Sequence, residues 1–278
     1  MTTLFFGSII TFLYFLATRW RKKPTHEGEW EMDYAHLPRI ELREHDAVLK
    51  NVRDWRYAKS GGRYAQDYHT DTVAYEEFAR AWVVVEPFMF AKRIAHVFLV
   101  FELTDGRAYG VSIEARRRLK QGFRPFRALF REYELMYQWG TERDLLSLRA
   151  LRRRNELLMV PLVFSKEQTR VLFKELAEKT NVLFDRPRFY NTLFANCTTE
   201  LFDPLATIHT RYALSPRSRF LTGTLIEALS ERGLIDERAL WKPYDNIAER
   251  VSALPEHVLT DRDPKAFSVA LRTYTGAQ

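Results

Sequence analysis

Few residues in this chain could do covalent chemistry. Cys197 is the single cysteine among 278 residues, in the stretch "RPRFYNTLFANCTTELFDP" at 186–204. A lone cysteine is by default a buried filler, because free cysteines are among the most buried residue types. Three features argue instead for a nucleophile. Asn196 is a good helix N-cap and "CTTELF" begins a helix-like run, so the thiol is expected in a first helical turn. There, unpaired N–H groups and the positive end of the helix dipole favour thiolate. The neighbours Asn196, Thr198 and Thr199 are polar, which is odd for a filler, and the N–H groups of that turn could hold an oxyanion. Finally, a base is available upstream. His96 interrupts the apolar run "IAHVFLVFEL", and a buried imidazole needs a partner. Cys197 as that partner, with Glu114 or Ser112 orienting the ring, would make a dyad or triad of nucleophile, base and orienter. The competing reading is an inert core histidine. The other six histidines fall mostly in linker or loop sequence.

The elements that must position these groups are partly legible. "IAHVFLVFELTDGRAYGVSIEA" (94–115) reads as a hairpin, two apolar runs about the turn dipeptide Asp105-Gly106. The pairing brings His96 beside the segment 112–116. Which side chains share its face depends on register, and a one-residue bulge would swap the answer. "ARAWVVVEPF" (79–88) is a buried strand by its β-branched and aromatic content. "HDAVLKNVRDWRY" (45–57) is extended and "GGRYAQDYHTD" (61–71) reads as a loop. The stretch 116–155 is strongly basic and partly helical. "SKEQTRVLFKELAEKTNVL" (165–183) is the best helix, with a Ser165/Gln168 capping box and an apolar face from Val171, Leu172 and Leu176. Strands first and the cysteine helix later predict an α+β fold with an antiparallel sheet and packed helices.

Composition is ordinary for a globular chain, with a formal net charge of +7. A basic balance suits nucleic acid, anionic headgroups or simple solubility and does not choose among them. No nucleic-acid motif and no metal-ligand spacing is found, so nucleic acid, metals and cofactors are not expected. One cysteine excludes an internal disulfide framework. "TLFFGSIITFLYFLA", Thr3 to Ala17, is uncharged and apolar and is followed by "RWRKK". It is slightly short for a bilayer span, but Trp20 and the snorkelling cations could complete it, and a membrane anchor is preferred to a buried core helix. The expected organisation is an anchor at 1–23, a linker at 24–44, a thiol-enzyme-like domain at 45–215 and a C-terminal helical extension at 216–278. Arg19, Arg21, Lys22 and Lys23 on the carboxyl flank would put the folded part in the cytoplasm by the positive-inside rule.

"NVRDWRY" (51–57), "AHVFLVFEL" (95–103), "SIEARR" (112–117), "YELMYQWGTERDLLSLR" (133–149) and "FYNTLFANCTTELFD" (189–203) together resemble the Lnb N-terminal periplasmic domain family, over roughly residues 45 to 205. That family's histidine and its Asn-Cys-Thr motif fall here on His96 and on Asn196-Cys197-Thr198. The resemblance implies a circularly permuted papain-like, or NlpC-like, thiol fold. It also implies a domain outside the cytoplasmic membrane, against the basic flank. Some relatives are associated with N-acylation of bacterial lipoproteins, in which a thiol would carry the acyl group. Glu114 matches the "SIEAR" segment. Tyr190 and Asn191 match the "YN" before the cysteine motif, either lining the site or shaping the turn. The expected function is a membrane-anchored cysteine acyl transferase or hydrolase acting on membrane lipid or lipoprotein. A cell-wall peptidase or amidase with the same dyad is the first alternative, and a non-catalytic membrane-associated binding module the second. The basic segments at 115–127 and 148–155 either hold anionic headgroups or are solvated faces.

Overall fold

The computed structural model describes residues 18, 20–88, 91–208, 212–215, 218, 222–235 and 246–273. The apolar run at 3–17, expected as an anchor, lies outside the described residues. Among those described, no helix is long and apolar enough to cross a membrane.

The protein is a mixed α+β structure built on one mostly antiparallel sheet. Its strands are β1 (Arg39–Leu42), β2 (Asp46–Tyr57), β3 (Arg63–Ala74), β4 (Phe78–Phe88), β5 (Ala91–Leu103), β6 (Ala108–Arg116), β7 (Glu134–Thr141) and β8 (Leu158–Pro161). The spatial order is β1-β2-β7-β6-β5-β4-β8, with β3 paired to β2, and β2 runs parallel to β7. The expected hairpin is β5–β6, turning through Gly106 at a positive φ of 93°.

Alternation along the central strands separates two cores. Val97, Leu99 and Phe101 of β5, with Val111 and Ile113 of β6, face the first. There α2 (Lys166–Asp185) and α3 (Cys197–Ile208) cover the sheet. Phe98 and Val100 of β5, with Trp82 and Val84 of β4, face the second. That side is covered by α1 (Glu142–Ser147), α5 (Ile247–Ala253), α6 (Glu256–Thr260) and α7 (Pro264–Thr273). A short helix, α4 (Leu225–Ser230), joins the first core. The period of two decides which layer each strand residue meets. Helix α2 begins at the expected capping box, with Gln168 N–H donating to the Ser165 hydroxyl at 3.1 Å. Leu172 and Leu176 are buried, joined by Phe173, while Val171 is half-buried.

Four segments differ from the sequence expectation. Residues 61–71, read as a loop, lie largely in β3, which pairs only with β2 among the described residues. An edge strand wet on both sides carries no apolar alternation to read. The basic stretch 116–155 conceals β7, buried along its whole length in the middle of the sheet. Residues 24–44, read as a linker, contain β1 and the buried Tyr34 and Ile40, and Trp30 bridges to Arg118. The segment after 215, read as an extension, supplies α4 to one core and α5 to α7 to the other. These last two segments are short amphipathic pieces whose apolar partners are distant in sequence.

Candidate active site

The site lies where the sheet opens. Strand β5 pairs with β6 only from Phe98↔Ser112 onward, whereas β6 stays paired with β7 as far as Arg116↔Glu134. Before Phe98, β5 continues on β4, with His96 opposite Glu86. The split between β5 and β6 leaves the Val97 N–H without a strand partner on that side, and it donates to the Cys197 sulfur. His96, on the far face, reaches the sulfur through the same gap.

Cys197 is the first residue of α3. The Asn196 side-chain carbonyl accepts from Thr198 N–H at 2.9 Å and Thr199 N–H at 3.0 Å, and Asn196 N–H donates back to the Thr199 hydroxyl at 2.9 Å. The expected N-cap is therefore formed. It consumes two of the N–H groups expected for an oxyanion hole, and among the described residues the Cys197 N–H, at the head of the dipole, has no acceptor. Cys197 is only 5% exposed and belongs to the first core, as do Leu201 and Leu205 of the same helix, yet its sulfur meets polar groups. The Thr198 hydroxyl is buried without a close hydrogen-bond partner among the described residues and is near enough to the sulfur to favour its charge. Burial pushes the thiol pKa up. The hydrogen bond to His96, the imidazole charge, the Val97 N–H and the Thr198 hydroxyl outweigh burial and bring it below the free-thiol value.

The imidazole is held by a relay. Its Nε2 lies 2.7 Å from the Ser112 hydroxyl and 3.4 Å from Glu114 Oε1. Ser112 donates to Glu114 Oε1 at 2.7 Å, and Arg149 donates to Ser112 Oγ at 3.1 Å. A hydroxyl has one proton to give and two lone pairs. With its proton on Glu114, Ser112 must accept from His96, so Nε2 carries hydrogen and Nδ1 faces the sulfur. Burial would depress the imidazole pKa. The Glu114 charge and the sulfur contact overcome it and raise it to about 9. Glu114 itself is desolvated, but His96, Arg149 and Arg153 hold it well below the usual carboxylate range.

Behind the relay stands an ion-pair network with no counterpart in the sequence expectation. Arg149 is fully buried and also donates to Glu86 at 2.9 Å and to Glu114 at 3.2 Å. Its guanidinium lies 4.3 Å over the Phe98 ring, which stacks on His96. A turn of π-helix at Leu148–Arg152 turns Arg149 inward. Arg149 was hidden inside a basic run that reads as a solvated face. Glu86 was findable, since it interrupts "WVVVEPF" as His96 interrupts its own strand. Arg116 is buried too, so neither basic segment is wholly a surface patch.

The gap opens into a cavity of about 610 Å³. Its walls are mainly apolar, from Phe88, Ile94, Phe123, Phe126, Leu129 and Leu193, with His96, Glu114 and Cys197 at one place. Tyr190 and Asn196 line it, and so do Tyr34, Arg153 and Thr222 from segments the sequence placed outside the domain or read only as basic. Thr222 fixes the wall by bonding both the N–H and the carbonyl of Ala95 at 2.6 Å. Asn191 does not line it: its side chain bonds Leu193 N–H, Phe194 N–H and the Leu129 carbonyl, and so shapes the turn. Ser112 and Thr198 stand behind the wall. Burial, then the nearby sulfur and Glu114, pushes the Tyr190 phenol well above its ordinary value. Among the described residues no cluster of three His, Cys, Asp or Glu could hold a metal ion.

No curated protein and no solved structure matches the chain. The family model of the Lnb N-terminal periplasmic domain matches residues 64–231, beginning and ending later than the motifs in the sequence suggested and taking in β3 and Thr222. The match covers more than half of the 278 residues, and the chain belongs to this family of periplasmic domains.

Proposed function

We propose that the protein is a membrane-associated cysteine acyl transferase or hydrolase working through a thioester on Cys197. One observation carries the reading: the single sulfur, favoured as thiolate, meets an imidazole that Glu114 keeps protonated, at the polar end of an apolar cavity. Thiolate attacks the carbonyl of an ester, forming the C–S bond, and the oxyanion is held by the Cys197 N–H. The intermediate collapses, the C–O bond breaks and the departing alkoxide takes the Nδ1 proton of His96. An amine or water then attacks the thioester, His96 accepts its proton, and the thiolate leaves. The histidine strand before the cysteine helix supports a circularly permuted papain-like ancestry for this arrangement.

The apolar lining favours a lipid or lipoprotein acyl chain over a cell-wall peptide, which needs a polar groove. The run at 3–17 serves as the anchor, with the domain on the periplasmic side. The opposing basic flank is one short loop in a statistical rule. The test is intact mass spectrometry after incubation with phospholipid vesicles. An acyl-sized gain on wild type, cleaved by hydroxylamine and missing from Cys197→Ser and His96→Ala, is expected. Wild-type protein with no adduct and no released fatty acid or acylated amine would end the reading.

A further inference from the structure

Two loops at the mouth of the cavity, 117–131 and 191–196, carry an unusual surface. Phe126 is 71% exposed and Phe194 80%, and Leu193 and Phe123 are also open to solvent. These are the side chains that a soluble surface normally hides, gathered in one place. They are held there. The Thr192 hydroxyl donates to the Pro125 carbonyl at 2.9 Å, Asn191 holds Leu129, and the Phe126 ring packs 5.3 Å from Phe130. The same loop supplies cations. From Arg116 to Arg131 there are seven basic residues and no acidic one. Three of these, Lys120, Arg124 and Arg127, are exposed on the same loop as Phe126, with Arg127 3.9 Å from the Glu132 carboxylate that follows the loop.

A third feature converges on this corner. Arg131 covers the Trp20 ring at 4.8 Å and donates to the Trp20 carbonyl at 2.6 Å. The chain leaving the apolar run at 3–17 therefore meets the folded part beside these loops.

We infer that the two loops form a bilayer-docking surface for an anionic lipid membrane, with Phe126 and Phe194 inserted at headgroup level and Lys120, Arg124 and Arg127 on the lipid phosphates. Aromatic rings amid lysine and arginine are what the membrane interface selects. Docked so, the cavity mouth faces the bilayer, and an acyl chain slides from one apolar phase into another without crossing water. The inference deepens the proposed function but does not depend on Cys197 chemistry.

The test uses the full chain carrying Cys197→Ser, reconstituted into vesicles. A single bimane label is placed at Phe126→Cys, Phe194→Cys or, as control, Val269→Cys. Val269 is 43% exposed and contacts Gly106 at the opposite end of the β5–β6 hairpin. That places it roughly 25 Å along the strand from the site. Lipid carrying a shallow doxyl group should quench labels at 126 and 194 at least about twofold more than at 269. Anionic phosphatidylglycerol vesicles should give the larger effect, and high salt should reduce it. Quenching at 126 and 194 no greater than at 269, or equal in anionic and zwitterionic vesicles, would overturn the inference. In the unmodified chain, amide hydrogen exchange across 119–131 and 191–196 should slow on reconstitution into anionic vesicles relative to zwitterionic ones, and an unchanged rate would overturn it too. Because the labelled chain lacks the thiol, failure here and failure of the thioester reading are separate results.

Discussion

Ser112 is nearer to His96 than Glu114 is: its hydroxyl stands 2.7 Å from Nε2, against 3.4 Å for the carboxylate oxygen. The ring is thus oriented by a neutral group and charged by an acidic one. The two roles separate by mutation. Ser112→Ala removes the orienting contact and leaves the charge, so the activity optimum should keep its pH while the rate falls by about tenfold. Glu114→Gln removes the charge. The imidazole then drops from about 9 toward its ordinary 6.5, and the alkaline limb of the pH–rate profile moves down with it. Identical profiles for Glu114→Gln and wild type would remove Glu114 from the site chemistry.

The same shift bears on stability. The folded pKa of His96 lies above the ordinary value, so the folded state holds this proton more tightly. Its contribution is full below about 6.5 and is lost as pH rises through about 9. Cys197 acts in the opposite sense, because its pKa is lowered on folding. Thermal melts are best compared in Cys197→Ser, which removes that opposing titration. There Tm should fall as pH rises from neutral through the mildly alkaline range, and adding Glu114→Gln should flatten the fall.

Arg149 pairs with the buried Glu86 and the half-buried Glu114. Without it, among the described residues, Glu86 would keep only Arg153 and Asn155, and Glu114 only Ser112, His96 and the more distant Arg153. Arg149→Met should cost about 3–5 kcal/mol, read as a shift in the denaturation midpoint. Arg149→Lys should recover little, since one ammonium cannot span Glu86, Ser112, Glu114 and the Leu145 carbonyl as the guanidinium fork does. A loss below 1 kcal/mol would show that the network is ornamental.

Asn196→Ala removes the side-chain acceptor that holds Thr198 and Thr199 N–H. Loss of a cap of this kind costs about 0.5–2 kcal/mol. It also loosens the helix head that favours thiolate. Alkylation of Cys197 by iodoacetamide at mildly acidic pH, where an ordinary thiol is silent, should slow in this variant and more so in His96→Ala.

The local signals were readable because they rest on local physics. An Asn before Cys-Thr-Thr caps a helix, Asp-Gly turns a hairpin, and a histidine or glutamate inside an apolar strand needs a partner, whatever the rest of the chain does. The sequence therefore determined the cysteine's place at a helix head, the hairpin carrying His96, Ser112 and Glu114, and the family. It could not place a sulfur on one core beside an imidazole from the opposite face. That depends on β5 leaving β6 at Phe98, a departure no periodicity announces. Nor could it turn Arg149 inward from a basic run, or bring Tyr34 and Thr222 to one cavity wall from nearly opposite ends of the chain. Those are contacts between residues far apart in sequence, and only the packed tertiary structure decides them.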